Sequence, residues 1–483
     1  MSMNSKAVSG VLWTMIEKIG LYVIQLIISI VIARIIGPNN YGLIGMLAIF
    51  VALSNTLLDS GFANALIHKR DRTNVDYSTA FYFNVVVGIV LYLSLLLCSS
   101  LIADFYNEPQ LRVISQVYFL SFLINSLSIV PIAKMTIEMK FKEQSIISIV
   151  VQLLTGCVGV LMALSGYGVW ALVAQSLGGG MMRMIMLYVY SKWWPMLCFS
   201  LVSFKELFNY GSKLLCSSLI NTVYNNLYAV VIGRRFSAIE VGNYDKSNQF
   251  ASLPSTILTS VIMKVLFPLM SEVQDDDEEL RNMYAKFIRI PLFFLYPVLV
   301  LLSVLSYPLV VLLLKDAWID AVPILQVLCF VFVFDPLTQI NLNILYVKGR
   351  TDLVLKLEFI KKPIGLLILF MTMPFGIIAM CFGRIVYSAI AYGINSYFCG
   401  SMIGLNIISQ FRMWVPILCR AIVSGVVCWF VCCFIDRAIL QIVFGGACGV
   451  ITYILLAIIT KDTSLKDLLN IINHKTRSKV SLF

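Results

Sequence analysis

Charge is scarce in this chain: charged residues make up 13% of it, and only two of its 483 residues are histidine. That scarcity excludes a soluble fold with a hydrated surface. The histidines, His68 and His474, are too far apart in sequence to suggest a metal site or a catalytic base pair. No P-loop motif occurs, so no ATPase is expected within the chain. None of the twelve cysteines forms a CxxC. They fall in apolar runs, at Cys98, Cys157, Cys216, Cys381 and Cys428 among others, and read as small buried hydrophobes. The one strongly acidic run, residues 274–279, has no folded domain around it and reads as a solvated loop. No segment is polar enough for a separate soluble domain, which argues against a membrane enzyme that carries its chemistry on a large external loop.

What remains is apolar. Hydrophobic residues make up 60% of the chain, and its mean hydropathy is +0.90. A bilayer core of roughly 30 Å takes about 20 apolar residues per helix. Runs of that length recur between residues 10 and 460. The sequence predicts an all-α polytopic membrane protein of about fourteen spans, at 9–37, 42–67, 77–102, 112–137, 144–164, 168–191, 207–233, 242–270, 283–314, 321–346, 353–372, 376–400, 412–435 and 438–460. Breaks fall at Gly37-Pro38, Ser165-Gly166-Tyr167-Gly168, Pro374-Phe375-Gly376 and Asp436-Arg437. The first run carries Glu17 and Lys18 and outlasts a signal-peptide core, so it reads as a first span rather than a cleaved leader.

Lysine and arginine set the expected orientation. One set of ends holds Lys6, Lys69, Arg70, Arg72, Lys140, Lys142, Lys192, Lys205, Arg281, Lys286, Arg289, Lys348, Arg350, Arg412 and the basic tail. The other holds Arg34, Arg112, Arg234, Arg235, Lys246, Lys315 and Arg437. The ratio is roughly twenty to seven, which places the first set and both termini in the cytoplasm. Much of the net charge of +11 is then topology signal, with no nucleic acid implied.

The chain also repeats itself. Residues 32–42, Ile-Ala-Arg-Ile-Ile-Gly-Pro-Asn-Asn-Tyr-Gly, recur at 232–242 as Ile-Gly-Arg-Arg-Phe-Ser-Ala-Ile-Glu-Val-Gly. Span one carries Thr14, Lys18, Tyr22, Gln25 and Ser29 on one helical face. Span seven carries Lys213, Ser217, Asn221, Tyr224 and Tyr228 at similar spacing. The turn at 166–168 matches the one at 375–376. The expected organisation is two pseudo-symmetric six-helix lobes, 1–204 and 205–404, followed by two further helices over 405–460 and a cytoplasmic tail over 461–483.

Each ionisable side chain at a helix centre costs about 2.5–3.5 kcal/mol to insert. The embedded set is Glu17, Lys18, Asp59, Lys134, Arg183, Lys213, Lys264, Lys361, Lys362, Arg384 and Arg420. Of these, Lys134, Arg183, Lys361 and Arg420 are candidates to snorkel to an interface. Lys18, Lys213 and Lys264 lie on spans one, seven and eight, which begin the lobes. Against Glu17 and Asp59 they leave a central cavity net positive, suited to an anionic head group such as a diphosphate. Asn221, Tyr224, Asn225, Asn226, Asn248 and Gln249 are candidates for sugar hydroxyls, and Gln25 is a further substrate-binding candidate. Asp59 and Glu17 are either salt-bridged or gating and ion-coupling groups.

With these residues in view, the chain resembles the Wzx-like polysaccharide flippases of the multidrug/oligosaccharidyl-lipid/polysaccharide exporter superfamily, in the branch exporting colanic and teichuronic acid-type polymers. The resemblance covers most of 5–365. It rests on Val11-Leu12-Trp13 with Glu17, Ile32-Ala33-Arg34 with Gly37-Pro38, Asp59-Ser60-Gly61-Phe62 and Ala103-Asp104-Phe105-Tyr106. It continues through Gly166-Tyr167-Gly168-Val169-Trp170-Ala171-Leu172, Gly211-Ser212-Lys213-Leu214, Leu266-Phe267-Pro268-Leu269 and Asn341-Leu342-Asn343. It implies fourteen helices in two lobes around a V-shaped cavity. It also implies flipping of an undecaprenyl-diphosphate-linked oligosaccharide across the bacterial inner membrane, beside glycosyltransferases and a polymerase of the same pathway. By that likeness Lys18, Lys213 and Lys264 meet the diphosphate, and Arg34 and Arg234 lie near the outer gate. Related flippases carry arginines where this chain has lysines, which bind phosphate without arginine's bidentate fork. No cofactor is implied; coupling to proton, sodium or membrane potential stays open. The competing readings are a cation-coupled multidrug exporter on the same fold and, last, a membrane polymerase or acyltransferase.

Overall fold

The computed structural model describes residues 3–59, 62–69 and 71–465, apart from the side chains of 3–19, 59, 64, 209–214, 216, 217, 261, 264 and 265. Every regular element among these residues is helical. The first eight helices are α1 (Met3–Asp59), α2 (Phe62–His68), α3 (Asn74–Leu97), α4 (Ser99–Tyr106), α5 (Gln110–Tyr118), α6 (Leu120–Ile137), α7 (Phe141–Leu164) and α8 (Trp170–Ser191). Then come α9 (Leu201–Arg235), α10 (Ala238–Glu272), α11 (Asp277–Val304), α12 (Ser306–Leu314), α13 (Ala321–Val331), α14 (Asp335–Val347), α15 (Thr351–Thr372), α16 (Ile377–Ile403) and α17 (Ile407–Cys432). A short α18 (Ala438–Leu440) runs through a π turn into α19 (Gly446–Ile459). Ten helices among the described residues are long and apolar enough to cross a membrane. Large apolar side chains such as Val86, Val90, Leu93, Leu161, Phe382 and Val426 lie exposed on them. Water would penalise so broad an apolar exterior; lipid does not. The protein is a multi-pass membrane protein.

The sequence breaks fall where expected. Gly37 turns the chain at φ 75°, and Pro38, with no N–H to satisfy, opens the second arm of α1. Gly166, Gly168 and Gly376 also hold positive φ at the expected turns. Several runs read as single spans are interrupted. The stretch 77–102 breaks at Cys98, 112–137 at Phe119, 283–314 at Leu305, and 321–346 over residues 332–334. Each break keeps near-helical backbone, so uniform hydropathy hides it. The break pair at 98 and 119 in the first half is echoed by that at 305 and 332 in the second.

The chain forms two compact units, Met1–Gly242 and Asn243–Phe483. In the first, α7 packs on α1 and α8, α6 on α3 and α8, and α9 on α1. An aromatic knot of Phe62, Tyr77, Phe81 and Trp193 ties α2, α3 and the segment after α8 together. In the second unit, α17 packs on α11 and α19, and α16 on α13, α14 and α15. Small residues set the close approaches. Gly88 lies against Ser126, Gly425 against Val300 and Gly449 against Leu301, as expected where helices associate by packing rather than by escape from water.

The acidic run begins a helix. Asp276 caps α11 by accepting from the backbone N–H of Glu278 and Glu279, both at 3.0 Å, and Lys348 donates to Asp277 at 2.8 Å. Carboxylates in a first helical turn complement the helix dipole.

Candidate functional site

The repeated segments meet. Pro38 and Ala238 each open a helix, and Gly42 and Gly242 each sit four residues further on. Gly42 lies directly on the backbone carbonyl of Ala238, and Gly242 on that of Pro38. The contact is reciprocal, each helix presenting its first-turn carbonyl to the other's glycine, as a local two-fold axis requires. A side chain at either position would run into the backbone of the other helix. Just before the crossing, Gly233 fits against Tyr106 and Met46, and buried Ala33 holds the matching position in the first repeat.

Arg34 and Arg234, the paired arginines of the repeat, are both exposed. Arg234 donates to the Phe105 carbonyl at 2.7 Å and stacks 5.3 Å from that ring's centroid. It thus caps the carbonyl end of α4, where a cation is favoured.

Below the crossing, the second arm of α1 and α9 share a polar seam. The Thr56 and Thr222 hydroxyls lie 2.9 Å apart, and Asn226 donates to the Thr222 carbonyl at 2.8 Å. On a different face of α9, Ser218, Asn221 and Asn225 are exposed at i, i+3, i+7. On the first arm of α1, Tyr22 and Gln25 are exposed. Ser29, assigned by sequence to the same stripe, accepts at its carbonyl from the Tyr41 hydroxyl at 3.0 Å across the Gly37 turn. Tyr224 is half-buried and Tyr228 buried. The expected stripe is therefore divided: its described members far from the turn reach a surface, and those nearer the turn are half-buried or buried. The side chains of Glu17, Lys18, Asp59, Lys213 and Lys264 lie outside the described residues.

At the other end of this unit, Lys69 bridges Asp76 at 2.9 Å and Glu206 at 2.8 Å, tying the segment before α3 to the start of α9. Hydrogen bonding to Glu206 and then to Asp76 raises the Lys69 pKa above its ordinary value. Thr73 and Asp76 close a capping box at the start of α3.

The second unit has a polar cluster that the sequence reading did not assemble. Arg384 on α16 donates to the Tyr244 hydroxyl and to Asn248 on α10, both at 2.8 Å, and stacks 5.4 Å from the centroid of Phe332. Ser255 donates to Asp335 at 2.9 Å. Lys246, counted by sequence among the non-cytoplasmic ends, is buried and donates to Gln249 at 3.1 Å. The i+4 spacing of Tyr244 and Asn248 was a visible signal; only their partner, 136 residues away, was not. Lys361 is another correction. It does not snorkel but is buried against Glu358 at 2.5 Å. Arg420 pairs with Asp462 beyond the end of α19 and donates to Thr460.

Comparison with known proteins now decides the family. A model described as "Polysaccharide biosynthesis protein" matches residues 31–323. The chain belongs to that family. It is 30% identical over 371 residues to the lipopolysaccharide biosynthesis protein WzxC of Escherichia coli K12, covering 75% of this chain and 74% of that one. It is 26% identical over 360 residues to the teichuronic acid biosynthesis protein TuaB of Bacillus subtilis 168, covering 73% of each. Among solved structures, the lipid II flippase MurJ superposes with a TM-score of 0.74 at 12% identity, over 94% of this chain and 99% of that one. An inward-facing multidrug resistance MATE transporter superposes with a TM-score of 0.57 at 12% identity, over 79% and 94%. The chain is a Wzx-like member of the multidrug/oligosaccharidyl-lipid/polysaccharide superfamily, as its motifs implied, and it has the fold of MurJ and the MATE transporters.

Within this family member, the matched region begins one residue before the first repeat and runs past the Arg384 partners on α10. Arg384 itself, with α17 to α19, lies beyond it.

Proposed function

We propose that the chain flips a polyprenyl-diphosphate-linked oligosaccharide from the inner to the outer leaflet of the bacterial inner membrane, by alternating access. The observation that carries the reading is the exposed polar face of α9, Ser218, Asn221 and Asn225, with Gln25 on α1, on helices that also expose apolar side chains such as Val23, Ile27, Ile220 and Val223. Polar groups on spanning helices turn toward water-filled space rather than lipid. Relatives named for lipopolysaccharide and teichuronic acid biosynthesis, together with the MurJ-like fold, supply the substrate class.

In this reading fourteen spans form two six-helix lobes, 1–204 and 205–404, with two additional helices over 405–460. Both termini are cytoplasmic. The polyprenyl tail stays in the bilayer while the diphosphate and sugars cross within. Lys18, Lys213 and Lys264 hold the diphosphate, and Gln25, Asn221 and Tyr224 the sugars. Glu17 and Asp59 couple an ion or pair with the lysines, and Arg34 and Arg234 stand at the outer gate. An inside-negative potential favours outward movement of negative charge by about 2.3 kcal/mol per charge per 100 mV, so ion coupling is not energetically required. Glycosyltransferases deliver the substrate and a polymerase consumes it.

The test is deletion of the gene in its own host. The lipid-linked oligosaccharide should accumulate where an impermeant oxidant added outside cannot reach it. Unchanged access to the oxidant, with lost drug resistance instead, would transfer the protein to the multidrug exporters.

A further inference from the structure

The groove between α3, α6 and α8 has no part in the function proposed above. It is a cavity of about 630 Å³, within the roughly 300–1,000 Å³ of built small-molecule sites. Phe81, Leu127, Met184 and Tyr188 line its body, and Lys192 and Trp194 stand at its mouth. Lys192 is the only charged residue in that lining. The walls are fixed. Tyr188 donates to the Leu127 carbonyl at 3.1 Å and its ring lies 5.1 Å from that of Trp194. The segment after Lys192 is pinned to α3, with the Met196 N–H on Ser78 at 3.0 Å and the Ser200 N–H on Thr79 at 3.1 Å.

Lys192 terminates α8 in the left-handed region, at φ 48° and ψ 36°. Glycine takes that conformation without steric cost, whereas lysine holds it under strain. A lysine there is favoured by the carbonyl end of the helix, and it also sets an exposed ammonium over an apolar groove. Trp194 is 73% exposed beside it, an indole in the position that marks a membrane–water interface.

We propose that this groove binds an anionic phospholipid, with one acyl chain along the Leu127 and Met184 walls and the phosphate on the Lys192 ammonium. Charge complementarity selects the occupant. A zwitterionic head would bring its own cation to Lys192, whereas a phosphatidylglycerol head brings only the anion. A basic residue near a lipid surface confers about a fivefold preference for anionic lipid.

The experiment is native mass spectrometry of the full chain released from vesicles of equal parts phosphatidylglycerol and phosphatidylcholine. It uses wild type, Lys192→Asn and Met184→Trp. Asparagine tolerates the left-handed conformation, so Lys192→Asn removes charge without breaking the turn. Wild type should retain phosphatidylglycerol in preference. Lys192→Asn should lose about fivefold of that preference. Met184→Trp, which fills the groove, should retain little of either lipid. Equal retention of the two lipids by wild type, or an unchanged preference in Lys192→Asn, would overturn the proposal. Displacement of the bound phospholipid by an equimolar polyprenyl phosphate would also overturn it, assigning the groove to the substrate's tail.

Discussion

Gly42→Ala tests the crossing of the two repeats by the sign of a stability change. At an unobstructed helical position alanine is favoured over glycine by about 0.8–1.0 kcal/mol. Gly178 in α8 and Gly393 in α16 are such positions, with no atom within 4 Å of where an alanine methyl would stand. Gly178→Ala and Gly393→Ala should each raise the melting temperature. At Gly42 the methyl meets the backbone carbonyl of Ala238, which cannot rotate aside as a side chain would. Overpacking costs about 1–3 kcal/mol and more when backbone must move, which outweighs the propensity gain. Gly42→Ala should therefore destabilise by roughly 1–2 kcal/mol net, read as a lower melting temperature in detergent. Gly242→Ala, against the Pro38 carbonyl, should do the same. The double variant should cost less than the sum, because the first methyl already parts the helices that the second would part. Stabilisation by Gly42→Ala, matching the two controls, would refute the close crossing.

Other outcomes follow from single contacts. Arg384→Met strips Tyr244 and Asn248 of a charged donor and should cost about 1.5–3 kcal/mol of stability, seen as a lowered melting temperature. Arg420→Met leaves the Asp462 carboxylate buried without its cation and should cost about 3–5 kcal/mol, partly restored by Asp462→Asn in the same chain. The Tyr284 hydroxyl lies 2.5 Å from the Asn341 side-chain oxygen and 2.7 Å from that of Gln410 in a buried network, its single proton serving one of them at a time, so Tyr284→Phe should cost about 1–3 kcal/mol. Lys69, whose pKa is raised by Glu206 and Asp76, contributes stability that is complete below its ordinary pKa. That contribution is lost as pH rises through the elevated value, so the wild-type advantage over Lys69→Met should persist at neutral pH and shrink only in strong alkali.

Much of this architecture was legible because hydropathy and turn chemistry are local. The breaks at Gly37-Pro38 and at Gly376 announce themselves in the residues that form them. The repeat was visible as well, and it pointed to the residues that cross, Gly42 and Gly242. What the sequence concealed depends on distance. Nothing near Arg384 names Tyr244 or Asn248 as its partners, and nothing near Lys246 distinguishes a buried ammonium from an interfacial one. The breaks at Cys98 and Leu305 were hidden for another reason: near-helical dihedrals need no glycine or proline. For the candidate site, helical spacing set Gln25 and Asn221 on polar stripes, and both side chains are exposed. It could not tell that Ser29, on the same stripe, is committed to Tyr41.

The central claim is translocation, and leaflet exchange in reconstituted liposomes measures it most directly. Purified protein would be supplied with a fluorescent polyprenyl-diphosphate oligosaccharide, and the fraction reachable by an impermeant quencher followed over time, for wild type and for Lys18→Ala, Lys213→Ala and Lys264→Ala. Wild type should exchange the lipid faster than empty vesicles, and the lysine variants should slow that exchange while remaining folded. Exchange by wild type no faster than in empty vesicles, with the host's own lipid-linked glycan as substrate and an imposed inside-negative potential, would contradict the account.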